Sequence, residues 1–268
     1  MLSAASVISP HDPVTSPKPS QPLVDGSCLP PLSAPLSATL VADAPPTLHY
    51  HSRFLTAADA ATLLANIYST CTSPSWTTLR GRRAKTYGVV VGIGDTPPCV
   101  RDPFPPWLEA LVDRLLAAGL AWGSGAAWAR PNTCLVNEYA VGQGIMPHAD
   151  GPAFLPRVAT VSLGGSCALE LVRHGGDPLC AVLLEPGSLL VLGDEAYAEH
   201  MHGIAPRVED GAPFANDSLL GDDAAATPLV VPRERTRVSL TFRRTTQPAV
   251  RDAAASLLAK MRGRAGRR

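Results

Sequence analysis

From Thr133 onward the chain breaks into short runs rich in Val, Leu and Thr: Thr133–Ala140, Val158–Leu163, Ala168–Arg173, Ala181–Leu184, Ser188–Leu192 and Arg237–Arg243. Gly and Pro separate most of them. Short β-prone runs bounded by turn residues read as strands, and this many in succession predict an all-β body. Two packed antiparallel sheets, a double-stranded β-helix or jelly roll, suit that number of strands. Upstream the pattern is helical. Thr56 is placed to cap a helix through about Thr70 with Leu63, Leu64 and Ile67 as its apolar stripe. Pro105-Pro106-Trp107 opens a second helix from about Leu108 to Ala118, with Leu111, Leu115 and Leu116 facing inward. The expected class is therefore α+β, a jelly-roll core with N-terminal supporting helices.

Composition sets the boundaries of that core. The 27 prolines are more than a compact domain needs. Residues 1–45, rich in Pro, Ser and Ala and without periodicity, read as a disordered tail. The ordered domain is expected over 46–245, opening with a short strand from Leu48 to Phe54. Residues 208–232 read as a mobile surface insertion, and 246–268 as a basic tail with a short helix from Ala253 to Met261. Acids and Lys plus Arg balance at 23 each, so overall charge names no partner. The six cysteines are scattered without a Cys-x-x-Cys pair, which argues against a zinc ribbon or a disulfide framework. Free thiols fit a reducing compartment, cytoplasm or nucleus, while the Ser-rich, acid-poor start leaves organelle targeting open. No apolar run is long enough to span a membrane, and a monomer is expected.

The chemistry concentrates in Cys134-Leu-Val-Asn-Glu-Tyr-Ala-Val-Gly-Gln-Gly-Ile-Met-Pro-His-Ala-Asp-Gly151. In extended backbone, positions two apart share a face, so His148 and Asp150 can address one ion. An imidazole and a carboxylate are two of the three ligands that hold non-haem Fe(II), with open positions left for reactants. A distant His should supply the third. His202 and His200 both qualify, because they share a strand face and spacing alone does not separate them. Arg237 and Arg243 are an even number of residues apart on one strand and can face the same way, and Asn137 and Tyr139 do so on another. A buried Arg can grip a carboxylate through two parallel hydrogen bonds. Between the helices lies Trp76-Thr-Thr-Leu-Arg-Gly-Arg-Arg-Ala-Lys-Thr-Tyr-Gly88, with Arg80, Arg82, Arg83 and Lys85 among aromatics. It reads either as a solvated hairpin or as a loop that meets phosphates and stacks on a base.

In this order, Asn137-x-Tyr139, His148-x-Asp150, His202 and Arg237-x5-Arg243 resemble the AlkB-like Fe(II)/2-oxoglutarate dioxygenases. Leu135–Tyr139, Gly144–Pro152, Val161–Gly164, Leu184–Leu192 and His202–Ile204 look like the sixth AlkB homologue subgroup of eukaryotes, and the likeness covers roughly 47–245. The resemblance implies that His148, Asp150 and His202 bind iron, and its His202-Gly-Ile204 match favours His202 over His200. It also implies that Arg237 and Tyr139 hold the distal carboxylate of 2-oxoglutarate, with Asn137 and Arg243 nearer the metal. The implied activity uses Fe(II), 2-oxoglutarate and O2 to hydroxylate an alkyl carbon or demethylate an N-methyl group, and with the metal and Arg motifs the leading reading takes a nucleic acid as substrate, RNA more readily than DNA. The resemblance places the basic segment where the family carries a nucleotide-recognition lid. Ser239 stands where several repair members have Asn. A protein side chain as substrate, or a nucleic-acid-binding protein with a vestigial iron site, are the alternatives.

Overall fold

The computed structural model describes residues 39–69, 74–91, 97–220 and 230–249. In chain order, β1 is Leu48–His51, α1 Ala57–Tyr68, β2 Thr77–Leu79, β3 Arg82–Val90, β4 Cys99–Asp102 and α2 Pro106–Ala117. A short α3, Ala126–Ala129, precedes β5 Thr133–Tyr139, β6 Ile145–His148, β7 Arg157–Gly164, β8 Cys167–Arg173, β9 Pro178–Leu184 and β10 Leu189–Gly193. Then come α4 Asp194–Ala198, β11 His200–Ile204, β12 Glu209–Gly211, β13 Val230–Pro232 and β14 Arg237–Arg243. The expected strands from Thr133 onward are all present, and β14 has the bounds that its sequence predicts.

Two antiparallel sheets form the body. The major one runs β1-β10-β7-β14-β5-β3-β2, with β4 also on β3, and the minor one runs β6-β11-β8-β9. Alternation along β14 explains the two-sided core. Val238, Leu240 and Phe242 join the cluster under α1 and α2, where Ile67, Leu111 and Leu115 are packed. Arg237, Ser239, Thr241 and Arg243 point the other way, into the space between the sheets. Leu190 and Leu192 of β10 and Leu169 and Leu171 of β8 fill the apolar part of that space. The helices are thus a support for the outer face of the major sheet, as expected. Thr56 caps α1 through a capping box with Asp59, which satisfies backbone donors at both positions.

Four expectations change. The first strand stops at His51, three residues short of Phe54. Order starts before residue 46: Val41 is buried, its N–H donates to the Leu48 carbonyl at 3.0 Å, and Leu40 bridges His49. One apolar residue in a Pro/Ala-rich stretch carries no periodicity that could announce this. The basic segment is not a solvated hairpin. β3 pairs with β5 along six residues and buries Ala84, Lys85 and Tyr87.

The fourth change concerns 208–232, whose described part is packed into the fold. β12 pairs with β13, and residues 212–220 after β12 cover the open edge of β9. Ala215 N–H donates to Ala181 O, and the Asn216 side chain both accepts from Leu183 N–H and donates to Leu183 O at 2.9 Å. Asn216 therefore mimics a strand neighbour, which blunts an edge that would otherwise offer unpaired backbone. Asp210, fully buried, receives two hydrogen bonds from Arg233 at 2.6 and 2.7 Å. Residues 1–38, 70–73, 92–96, 221–229 and 250–268, including the predicted Ala253–Met261 helix, lie outside the described residues.

Candidate active site

Antiparallel pairing of β6 with β11 sets His148 directly opposite His202. Their rings lie 4.6 Å apart at 53°. Asp150, two residues past His148, completes a group whose ligand atoms all lie within 4.8 Å of one another. His200 is not in that group; its Nδ1 lies 3.3 Å from the Glu195 carbonyl at the base of α4.

The local polar partners prepare this group to hold a cation. His148 Nδ1 lies 2.9 Å from the Met146 carbonyl. A carbonyl only accepts, so the ring proton sits on Nδ1 and the Nε2 lone pair is left for a metal. Burial is the largest influence on His202 and pushes its imidazole down to about 4, so it is neutral near pH 7 as a ligand must be. Asp150 Oδ1 accepts from Arg243 at 2.5 Å, whereas Oδ2 is buried without a hydrogen-bond partner. A buried carboxylate oxygen left unsatisfied is costly, and a divalent ion among two imidazoles answers it. The donor set of two imidazoles and one carboxylate fits Fe(II).

Across a solvent-open cleft of about 590 Å³ the major sheet presents a polar wall. Asn137 and Tyr139 come from β5, and Arg237, Ser239, Thr241 and Arg243 from β14. Cross-strand register puts Arg237 opposite Tyr139 and Ser239 opposite Asn137. Arg237 is 4% exposed, donates from Nη2 to Ser162 Oγ at 2.9 Å, and keeps Nε buried without an acceptor. Among the described residues no carboxylate pairs with it. A buried cation without a counter-charge is a site for an anion. Leu169 and Leu184 of the minor sheet, with Leu190 of the major one, make the rest of the lining apolar and suit a methylene chain.

The basic segment divides by strand alternation. Arg82 faces the cleft and donates from Nε to Asn137 Oδ1 at 2.9 Å. Arg83 faces the helix side, where it bonds Glu138 twice, at 2.5 and 2.8 Å, and stacks on Trp76 with its guanidinium carbon 4.6 Å from the ring centre. Lys85 is buried and its ammonium donates to the Ile67 carbonyl at 2.6 Å, near the C-terminus of α1. Lys85 is therefore a structural cation, closed to phosphates. The hairpin turn at Gly81 has φ +80°, and a Cβ there would meet the Gly144 carbonyl at 2.7 Å, so the tip packs onto the loop that leads to His148.

Sequence reasoning missed Ser162, the hydrogen-bond partner of Arg237. Its signal was a polar residue two positions past the cleft-lining Thr160 on the same strand face. It also missed Tyr197, whose hydroxyl donates to the Gly151 carbonyl at 2.9 Å just past Asp150, and Phe154, whose ring carries Arg243 at 5.3 Å. Both contacts join distant segments and have no local pattern.

With this geometry in place, comparison with other proteins is decisive. Residues 47–243 match the sequence profile of the 2OG-Fe(II) oxygenase superfamily. The chain belongs to that superfamily, as an AlkB-like Fe(II)/2-oxoglutarate dioxygenase. It is 34% identical over 226 residues to the "Probable RNA/DNA demethylase ALKBH6" of Danio rerio, covering 78% of this chain and 89% of that one. It is 30% identical over 140 residues to the "Alpha-ketoglutarate-dependent dioxygenase AlkB" of Salmonella typhimurium, 51% of this chain and 59% of that one. The solved structure of OsALKBH1 superposes with a TM-score of 0.49 at 20% identity, over 74% of this chain and 97% of that chain. The dioxygenase requires Fe(II), 2-oxoglutarate and O2.

Proposed function

We propose that this dioxygenase oxidatively demethylates or hydroxylates a nucleic acid, RNA more readily than DNA. In this reading His148, Asp150 and His202 hold the iron, and Arg237 with Tyr139 takes the distal carboxylate of 2-oxoglutarate. Asn137 and Arg243 lie nearer the chelating end. When bound, the iron supplies oxidative decarboxylation of 2-oxoglutarate to succinate coupled to hydroxylation of a carbon; on an N-methyl group the hydroxylated product collapses and releases formaldehyde.

The chain's own residues have three tasks. The Met146 carbonyl fixes the tautomer and orientation of His148. Arg243 holds Asp150 by Oδ1 and leaves Oδ2 free of hydrogen bonds as a ligand atom. The apolar wall keeps water away from the methylene chain of the cosubstrate.

The observation that carries the assignment is the pairing, within one cleft, of the His-Asp-His group with an unpaired buried arginine. The nucleic-acid substrate draws support from the name of the Danio rerio relative and from Arg82, a cleft-facing cation on a basic hairpin. The test is formaldehyde release from a panel of N-methylated RNA and DNA oligonucleotides and methylated peptides. Release from RNA above DNA and peptide is expected. Release from peptide alone would replace the nucleic-acid reading with the side-chain one.

A further inference from the structure

The cleft does not end at Arg237. A second recess, open to solvent and with room for about one water molecule, adjoins the cleft, and Tyr139, Ile204 and Arg237 line both spaces. Gln143, Ser166 and Arg235 lie on the far side of the partition. Arg237 thus lines both spaces and is not backed by packed core on every side. Its buried Nε lacks an acceptor, and among the described residues neither Arg237 nor Arg235 pairs with a carboxylate. The third arginine there, Arg233, is already neutralised by Asp210.

We propose that the cosubstrate pocket continues past Arg237 and accepts a 2-oxo diacid one methylene longer than 2-oxoglutarate. The inference rests on the reading of Arg237 as the carboxylate anchor. In a pocket closed by packed side chains, an added methylene overpacks the wall and weakens binding by roughly 10–200-fold. Here the Arg237 side chain borders a recess of about one water, comparable in size to a methylene, so it can recede by that length. Its free Nε and the charge of Arg235 then serve the displaced carboxylate.

The test is calorimetric titration of the Mn(II)-loaded protein with 2-oxoglutarate and with 2-oxoadipate, which reads binding without turnover. The two dissociation constants are expected to agree within about fivefold, below the penalty of a closed pocket. Ser166→Leu, which fills the second cavity from its far side, should weaken 2-oxoadipate by about tenfold or more and leave 2-oxoglutarate within about twofold. A wild-type preference for 2-oxoglutarate above about tenfold overturns the extension while leaving the anchor intact. Binding of neither acid overturns the cosubstrate reading and the extension together. The wild-type ratio stands as a test even where the variant fails to fold.

Discussion

Arg243 and Asp150 form a buried pair in which only one carboxylate oxygen is used. Nη2 of Arg243 reaches Oδ1 at 2.5 Å, and Oδ2 is buried without a hydrogen bond of its own, in a group with His148 and His202. The arginine therefore does for Asp150 what the Met146 carbonyl does for His148: it fixes which atom is left for the metal. Arg243 sits at the far end of the strand from Arg237, so one strand carries both the orienter of a ligand and the candidate anchor of the cosubstrate.

Removing the orienter should show first in metal affinity. Arg243→Gln is expected to weaken Fe(II) or Mn(II) binding by about 10–100-fold, the usual effect of losing a partner of a metal ligand. It also leaves Asp150 with an uncompensated buried charge, so the metal-free variant should lose about 3 kcal/mol of stability. Metal titration and urea unfolding measure the two effects separately. Unchanged metal affinity would mean that Asp150 is held by something else.

Arg237 should behave in the opposite way in the absence of ligand. Its buried charge has no acid partner, so Arg237→Leu is expected to leave the stability of the ligand-free protein unchanged or raise it. The same variant should weaken 2-oxoglutarate binding by about 2–5 kcal/mol, roughly 30-fold or more. Thermal unfolding with and without 2-oxoglutarate checks both: the ligand-induced rise in Tm should vanish in the variant.

The pH dependence follows from His202. Its pKa lies near 6.5 when exposed and falls to about 4 in the fold, chiefly through burial, with His148 and Arg243 adding to the effect and Asp150 opposing it. Below pH 6.5 the unfolded chain takes up a proton that the native site refuses, so stability falls with pH across this window until the native imidazole is protonated near 4. The loss is at most roughly 3 kcal/mol. Urea midpoints of the metal-free protein between pH 7 and 4 should show this decline, and His202→Gln should flatten it.

Sequence carried the strands and the candidate site much better than it carried the connections. His148-x-Asp150 and Arg237-x5-Arg243 were legible because alternation in extended backbone fixes which side chains share a face; the structure lines one cleft with His148, Arg237 and Arg243 and groups Asp150 with His148 and His202. Alternation also corrects the reading of the basic segment: it sends Arg82 to the cleft and Arg83 and Lys85 to the helix side, so four neighbouring cations are not one patch. The 208–220 stretch was misread because its Pro, Gly and Asp signal turns, and nothing in composition reveals that Asn216 substitutes for a strand.

Asn216 gives a fold prediction independent of the active site. Its amide makes both hydrogen bonds to Leu183 and is fully buried, so Asn216→Ala should cost about 2–3 kcal/mol and expose the edge of β9. Faster amide exchange at Leu183, with kcat unchanged below the melting transition, is the expected signature. A variant as stable as the parent would show that β9 does not need this cover.

The central claim is that one cleft holds the iron and 2-oxoglutarate together. The most direct measurement is succinate formed from 2-oxoglutarate when oxygen is admitted to the anaerobically Fe(II)-loaded protein, supplied with methylated RNA and ascorbate, beside His148→Ala and Arg237→Leu. Succinate from the parent and little or none from either variant is the predicted result. Variants that still produce succinate at the parent's rate would contradict the assignment of this cleft as the active site.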